Sequence, residues 1–343
     1  MKRLAKNQIF WPLVALVVLL IFNAIFTKNF FKISVVEGHL YGNLIDILKN
    51  FAPLALLSIG MTLVIATCGI DISVGSILAI SGAIACSVID GRLGIFDHSL
   101  VGALALAILA GILCGLWNGF LVAKVKIQPM VATLILLTAG RGIAQLITNG
   151  KIVTINSAPM MGPYYFIGAG YFLGLPFALY IVLAVLLVVM LLVKRTAFGL
   201  FLESLGVNFR SSRLTGINVD RIKLVVFTIS GLLAGIAGIL ISSNIKGADC
   251  NNAGLFIELD AILAVAIGGN SLNGGRFMIP ASLVGALFVQ CLTTTVYALG
   301  VPPEVISLIK AIVILTLCLF QSSQFRELVF GHLKSREKGV GTV

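Results

Sequence analysis

A single acid interrupts two long apolar runs in the stretch Gly69-Ile70-Asp71-Ile72-Ser73-Val74-Gly75. The runs on either side are typical of helices that cross a membrane. Burying a charge in hydrocarbon costs at least about 2.5–3.5 kcal/mol, so an acid here needs a partner, a wet cavity or a proton. We expect Asp71 to hold a break before the next helix, which Ser73 would cap. Contact with a polar solute, or a place at a gate, stays open for Asp71.

Other charged side chains fall inside apolar runs or at their ends. Arg141 is expected to pair with an acid, because intramembrane charges usually pair with one another, or else to line a pore. The candidate acids are Asp71, Glu258 and Asp260. Glu258 and Asp260 also begin a short apolar run, where acids favour the N-terminus of a helix. Lys310 is expected to extend its ammonium group toward the membrane surface.

The composition places the whole chain in a membrane. Of its 343 residues, 59% are hydrophobic and only 11% are charged, and the mean hydropathy is +1.10. Soluble domains are about 25% charged. Apolar runs of roughly 20 residues recur along the chain, so we predict an all-α, polytopic transmembrane helical bundle that forms one domain over residues 1–343.

We predict about ten membrane spans, whose order fixes the topology. They lie near residues 9–27, 45–67, 74–90, 100–123, 129–148, 172–193, 222–243, 258–268, 277–298 and 304–322. Most of the 24 lysines and arginines fall in segments that this order places on the same side of the membrane as the N-terminus. The positive-inside rule therefore predicts that both termini are cytoplasmic, and it explains the net charge of +11 without nucleic acid.

The sequence lacks the motifs of ATP binding, metal binding and nucleophilic catalysis. The sequence has no GxxxxGK[ST] loop for ATP, no His/Glu metal signature and no GxSxG nucleophile elbow. The six cysteines lack metal-ligand spacing, and most lie in apolar runs as small core residues. Two glycine-rich breaks, residues 69–75 and 268–275, follow spans that run in the same direction. Paired interruptions of this kind occur at translocation sites in transporters.

The segment at residues 194–223 is long, basic and polar for a loop in this chain. Asn208 is placed to cap a short helix that ends near Gly216. Such a helix, parallel to the membrane, would offer a docking surface to a cytoplasmic partner. An interfacial linker is the other interpretation that the residues allow.

This segment resembles the coupling loop of bacterial ABC importer permeases of the ribose/xylose/galactofuranose (simple sugar) family. The resemblance is carried by Gly206-Val207-Asn208 and Gly216-Ile217-Asn218-Val219. Other motifs of the family match residues 69–75, 118–119, 133–142 and 258–276. Three more motifs, at residues 247–249, 251–255 and 301–304, look most like the galactofuranose-type permeases.

The resemblance implies a transport subunit rather than an enzyme. Its partners would be a second permease subunit in a homo- or heterodimer, a cytoplasmic ABC ATPase, a periplasmic sugar-binding protein and membrane lipid. ATP and Mg²⁺ would be used by the ATPase, and this chain would bind no cofactor. A monosaccharide, such as galactofuranose or a related pentose or hexose, would cross the bacterial inner membrane as the ATPase pulls on a coupling helix at about residues 203–217.

The resemblance also nominates residues. Those expected to couple the chain to the ATPase are Glu203, Gly206, Asn208, Arg213 and Gly216. Those expected along a translocation path or gate are Asp71, Asn118, Thr133, Arg141, Gln145, Asn251, Asn252 and Asp260. Several carry the donors and acceptors that sugar hydroxyls require.

Two other functions remain open from the sequence. A permease for branched-chain amino acids would share this architecture, although Gly75 and the motif at residues 268–276 favour sugar. A carrier driven by an ion gradient would need an intramembrane acid that titrates, and Asp71 is the obvious one.

Overall fold

The structure is a computed structural model that describes residues 9–27, 29–36, 39–94, 96, 98–155 and 158–321. The predicted cytoplasmic location of the termini concerns residues 1–8 and 322–343, which lie outside the described residues.

The described residues form a bundle of α-helices, as predicted. In chain order the helices are α1 (Phe10–Phe26), α2 (Asn43–Ala66), α3 (Val74–Ile89), α4 (Leu100–Phe120), α5 (Pro129–Thr148), α6 (Met161–Ala169), α7 (Phe177–Arg195), α8 (Phe198–Val207), α9 (Phe209–Leu214), α10 (Val219–Ile245), α11 (Ile257–Ile267), α12 (Ile279–Ala298) and α13 (Pro303–Gln321). A π-helical turn, Leu121–Val125, extends α4.

Short strands pair only near the helix ends. The antiparallel pairs are β1 (Ser34–Val36) with β2 (His39–Tyr41), β3 (Val153–Thr154) with β6 (Gly247–Ala248), and β4 (Tyr171–Phe172) with β5 (Leu175–Pro176). The β3–β6 pair matters for the site, because it ties the segment after α5 to the segment before α11.

Six helices in the described part of the chain are long and apolar enough to cross a membrane. They are α2, α4 with its π-helical turn, α5, α7, α10 and α12. Most of the other predicted spans correspond to shorter apolar helices, so the count of ten stays a prediction. The chief differences are α6, which lies between the predicted spans at residues 129–148 and 172–193, and the division of the expected helix at residues 203–217 into α8 and α9.

The centre of the bundle is α2, whose residues 52–66 are all buried. It packs against α10, α11 and α12. A helix that is apolar on every side is expected in such a position, since each face meets another helix instead of lipid.

Glycines bring α4 and α10 into close backbone contact. A Cβ atom on Gly231 would lie 2.4 Å from the carbonyl oxygen of Gly111, and one on Gly115 would lie 2.4 Å from that of Phe227. Small residues allow such approach between membrane helices, where packing replaces the hydrophobic effect as the driving force. The glycine-rich run at residues 231–238 therefore serves helix packing, as its composition indicates.

Replacing Gly231 with alanine is expected to destabilise the protein by about 1–3 kcal/mol, because the new methyl group must displace backbone atoms of α4. The measurement is the midpoint of thermal unfolding in detergent. Gly142→Ala on α5 is the matched control, since nothing lies within 4 Å of its added methyl group. Equal midpoints for the two variants would contradict the close contact.

Candidate functional site

Asp71 lies fully buried at the break between α2 and α3. Its Oδ1 accepts hydrogen bonds from the amide (3.1 Å) and hydroxyl (2.6 Å) of Ser73, and its Oδ2 accepts one from the hydroxyl of Ser230 at 2.7 Å. The carboxylate thus fixes the break and joins it to α10. The expected cap is wrong in one detail: the Ser73 hydroxyl donates to Asp71 and makes no capping bond to α3.

Asn118 and Thr133 lie beside the same break. The Asn118 amide donates to the Ser73 hydroxyl at 2.7 Å, so α4 is also tied to Asp71 through Ser73. The Thr133 hydroxyl donates within α5 to the carbonyl oxygen of Pro129 at 2.9 Å and lies 3.4 Å from that of Ile70. These three of the eight predicted path residues, Asp71, Asn118 and Thr133, are buried, and in this conformation they hold helices together.

A second group of predicted residues meets where α5 approaches the loop at residues 249–256. Arg141 Nη1 donates to the carbonyl oxygens of Cys250 (3.0 Å) and Ala253 (2.6 Å). Gln145 Nε2 donates to Asn251 Oδ1 at 2.7 Å. The predicted pairing of Arg141 with an acid is wrong for this conformation, because no acid in the described residues lies within ion-pair distance of it.

Asp249 organises the same loop from inside. Its Oδ1 accepts from the amides of Asn251 (3.0 Å) and Asn252 (3.2 Å), and its Oδ2 accepts from the Asn252 side chain at 2.8 Å. Partial burial opposes ionisation, yet these hydrogen bonds hold the pKa of Asp249 below its usual value. The loop is therefore an ordered element that places the exposed Asn251 and Asn252 side chains next to α5.

Asp260 lies apart from both groups. Its Oδ2 atom forms an ion pair with the Lys310 ammonium group at 2.8 Å. Only 24% of the Asp260 side chain and 15% of the Lys310 side chain are exposed. This pair joins α11 to α13. The expectation that Lys310 reaches the membrane surface is wrong, because its ammonium group has a partner inside the bundle.

One face of α5 carries exposed polar groups, of which only Gln145 was predicted from the sequence. Thr138, Gln145 and Asn149 are exposed, and Gly142 has open space around it. Their spacing of three or four residues puts them on one face of the helix. A lipid-facing surface would be apolar, so this face is suited to water or to another subunit. Helical spacing was the signal available in the sequence.

The segment after α7 forms two short helices in place of one. Asn208 ends α8 and caps α9, because its Oδ1 accepts from the amides of Arg210 and Ser211, each at 3.0 Å. Gly216 follows α9 with φ at +85°, a conformation that favours glycine. The predicted cap is confirmed, whereas the continuous helix over residues 203–217 is wrong, since a capping residue begins a new helix and cannot continue the old one.

The two glycine-rich breaks meet this segment at Gly206. A Cβ atom on Gly206 would lie 2.0 Å from the carbonyl oxygen of Ala66 and 2.2 Å from the amide nitrogen of Gly275. The Gly275 amide itself donates to Ala66 at 3.1 Å. The end of α2, the break after α11 and the end of α8 therefore share one backbone contact, which we call the glycine joint.

The exposed side of α8 and α9 has the features of a docking surface. A cavity of about 530 Å³ is lined by residues that include Glu203, Asn208 and Arg276. Nearby, Asp220 binds Lys126 at 2.7 Å and lies 3.6 Å from Arg213. The surface thus presents both charges beside apolar groups. Gly206 is held at the glycine joint, Glu203 and Asn208 line the cavity, and Arg213 and Gly216 are exposed near the end of α9.

Replacing Ser230 with alanine is expected to destabilise the protein by about 1–3 kcal/mol, because Asp71 Oδ2 loses its partner while it stays buried. The unfolding midpoint in detergent measures the loss. Thr228→Ala on the same helix is the control, since the Thr228 hydroxyl donates only to Leu224 of its own helix, at 2.7 Å. If both variants unfold alike, the Asp71 bond does not stabilise the break.

Comparison with known proteins adds two kinds of match. Residues 43–318 match a family described as "Branched-chain amino acid transport system / permease component". The chain is 46% identical over 338 residues to the galactofuranose transporter permease protein YtfT of Escherichia coli K12. The aligned region covers 97% of this chain and 96% of that protein.

Two other relatives are sugar import permeases as well. The fructose import permease protein FruF of Bifidobacterium longum is 36% identical over 95% of this chain and 91% of its own. The ribose import permease protein RbsC of Escherichia coli K12 is 38% identical over 91% of this chain and 93% of its own. No solved structure matches the chain.

Proposed function

The chain belongs to the family of sugar permeases of ABC importers, and from this we propose that it imports a monosaccharide of the galactofuranose type across the bacterial inner membrane. The observation that carries the proposal is the 46% identity to a galactofuranose permease over 97% of the chain. A permease of this family is a transport subunit and not an enzyme. It works with an ATPase and a substrate-binding protein.

The finer assignments are part of the proposal. The permease pairs with a second permease subunit, identical or related, and both termini face the cytoplasm. ATP and Mg²⁺ are used by the ATPase subunits. With this orientation the glycine joint lies at the cytoplasmic end and the loop at residues 249–256 lies toward the periplasm.

We place the translocation path along the polar face of α5. Its groups would face water or the second permease subunit, because exposing them to lipid would cost free energy. Gln145, Asn251 and Asn252 are exposed and would meet the sugar first, since their amides can both donate and accept hydrogen bonds. The buried Asp71, Asn118 and Thr133 would support this path from behind.

Coupling would run through the glycine joint. Movement of α8 by a docked ATPase would press on the end of α2 and on the break after α11 together, since Gly206 touches both. These two elements flank the centre of the bundle. A shift at the cytoplasmic surface would therefore reach the membrane interior without a long chain of side chains.

The alternative solutes have less support. The matching family is described by branched-chain amino acid transport, but the relatives reported above are named as sugar permeases. For the ion-driven carrier, Asp71 would have to exchange a proton, yet both of its oxygens are held by serine hydroxyls in the closed bundle.

Reconstitution tests the function directly. The permease, its ATPase and its sugar-binding protein are placed in liposomes, and ATP hydrolysis is measured with galactofuranose, ribose and fructose. We expect galactofuranose delivered by the binding protein to stimulate hydrolysis most. Uptake driven by an ion gradient without ATP would overturn the assignment as an ABC importer. Stronger stimulation of ATP hydrolysis by ribose or fructose would overturn the assignment of galactofuranose as the substrate.

In the same system, Gly206→Ala should lower sugar-stimulated hydrolysis by about tenfold, because a methyl group in the joint costs about 1–3 kcal/mol to accommodate. Gly162→Ala on α6 is the control, because it lies outside the predicted coupling residues. Nothing lies within 4 Å of a Cβ atom at that position. Normal stimulation in Gly206→Ala would remove the joint from the coupling route.

A further inference from the structure

Glu258 is a buried acid for which the bundle provides no complete set of partners. Only 5% of the residue is exposed, and its Oε2 atom has no hydrogen-bond partner among the described residues. An unpaired carboxylate oxygen in the membrane interior costs free energy. This cost is tolerated only if other interactions offset it, or if the Oε2 atom gains a partner in another conformation of the protein.

The other acids near the centre and the loop are accounted for. Asp71 is held by serines, Asp249 by the backbone and side chain of Asn252, and Asp260 by Lys310. The remaining central cation is Arg141. Its guanidinium donates to backbone carbonyl oxygens and has no carboxylate partner in the described part of the chain.

Helix α3 packs against α5, which carries Arg141, and against α11, which carries Glu258. Gly140, next to Arg141, packs on Ser76, whose hydroxyl would lie 2.8 Å from a Cβ atom on that glycine. Gly75, next to Ser76, has the Glu258 Oε2 atom 2.5 Å from the place of its own missing Cβ atom. The two charges are close enough to interact electrostatically.

The loop supplies a second connection between the same two residues. Arg141 binds the carbonyl oxygen of Ala253, and the following carbonyl, of Gly254, lies 2.8 Å from the same missing Cβ position on Gly75. A side chain at Gly75 would fill the space between the carboxylate and the loop.

We propose that Arg141 has two partners during transport, and that Glu258 is the second. In the conformation described here Arg141 holds the loop at residues 249–256 through the Cys250 and Ala253 carbonyls. When it moves to the Glu258 carboxylate, it releases the loop and its asparagines, and this opens the periplasmic side. We call this exchange the arginine latch. It rests on the proposed function, because the loop is taken as the gate on the side where sugar enters.

Arg141 gives up two hydrogen bonds to neutral acceptors and gains a charged one in a low-dielectric site, where ion pairs with good geometry are strong. Glu258 gains the partner that it lacks. The neighbouring subunits would select a state by binding it more tightly than the other.

Glu258→Gln separates this role from a structural one. The amide keeps the shape but removes the charge that is unpaired here, so we expect an unchanged or higher unfolding midpoint. Sugar-stimulated ATP hydrolysis should nevertheless fall by about tenfold, because the open state loses its ion pair. The control is Asp260→Asn on the same helix, which breaks an existing ion pair and should lower the midpoint.

Two results would overturn the latch. One is full stimulation by sugar in Glu258→Gln. The other is a loss of stability in Glu258→Gln as large as in Asp260→Asn, since that would make Glu258 a structural acid in the conformation described here.

A measurement that needs no sugar distinguishes the latch from the proposed function. Amide hydrogen exchange of residues 249–256 is followed by mass spectrometry in the permease–ATPase complex, with and without ATP and vanadate. We expect nucleotide trapping to increase exchange in the natural protein but not in Glu258→Gln. Equal responses in the two would overturn the latch, whatever sugar the complex carries. If the response depends on Glu258 while no sugar stimulates hydrolysis, the latch stands and the sugar assignment fails.

Discussion

The bonding of one buried carboxylate sets the geometry of the centre of this bundle. Inside a membrane every polar group must find its partner within the protein, because lipid offers none. Asp71 meets that requirement with Ser73 on its own break and Ser230 on α10, and Ser73 in turn receives the Asn118 amide of α4. A helix break that would otherwise expose backbone groups thereby becomes a fixed point to which two further helices, α4 and α10, are attached.

A second break follows α11, and different interactions stabilise the two breaks. The first is stabilised by side chains around Asp71. The second is held by the hydrogen bond from the Gly275 amide to Ala66 at the end of α2, by the Cys68 thiol, which donates to the Asn273 carbonyl oxygen at 3.0 Å, and by Asn270, whose side chain accepts from the Met278 amide at 2.7 Å. One break is therefore pinned to the helices around it, and the other rests against the first and against α8.

The sequence predicted most helices well and most partners poorly, for physical reasons that individual residues illustrate. The predicted bounds of α5, 129–148, coincide with Pro129–Thr148, because proline marks its first turn and Asn149 ends it in a left-handed conformation. The apolar periods of the other long helices are equally local signals. The small helix α6 was missed, because it is too short to show an apolar period and contains Pro163 near its start.

Partners depend on contacts between distant parts of the chain, which composition does not encode. Arg141 was expected to meet an acid and instead binds carbonyls 109 and 112 residues away. Lys310 binds Asp260 across 50 residues for the same reason: the fold, and not the local pattern, brings them together. Asn208 shows the intermediate case, since its capping role was visible locally while the helix before it was not.

The glycine joint consists of main-chain atoms, and this gives it a property that a joint of side chains would lack. Main-chain atoms are the same whatever solute a transporter carries, so in the proposed mechanism the joint would transmit displacement independently of the solute. Residues on the proposed path could then change during evolution, and the mechanical connection to the energy source would need no readjustment. One kind of ATPase coupling could in this way serve permeases whose solutes differ in shape and in the arrangement of their hydroxyl groups.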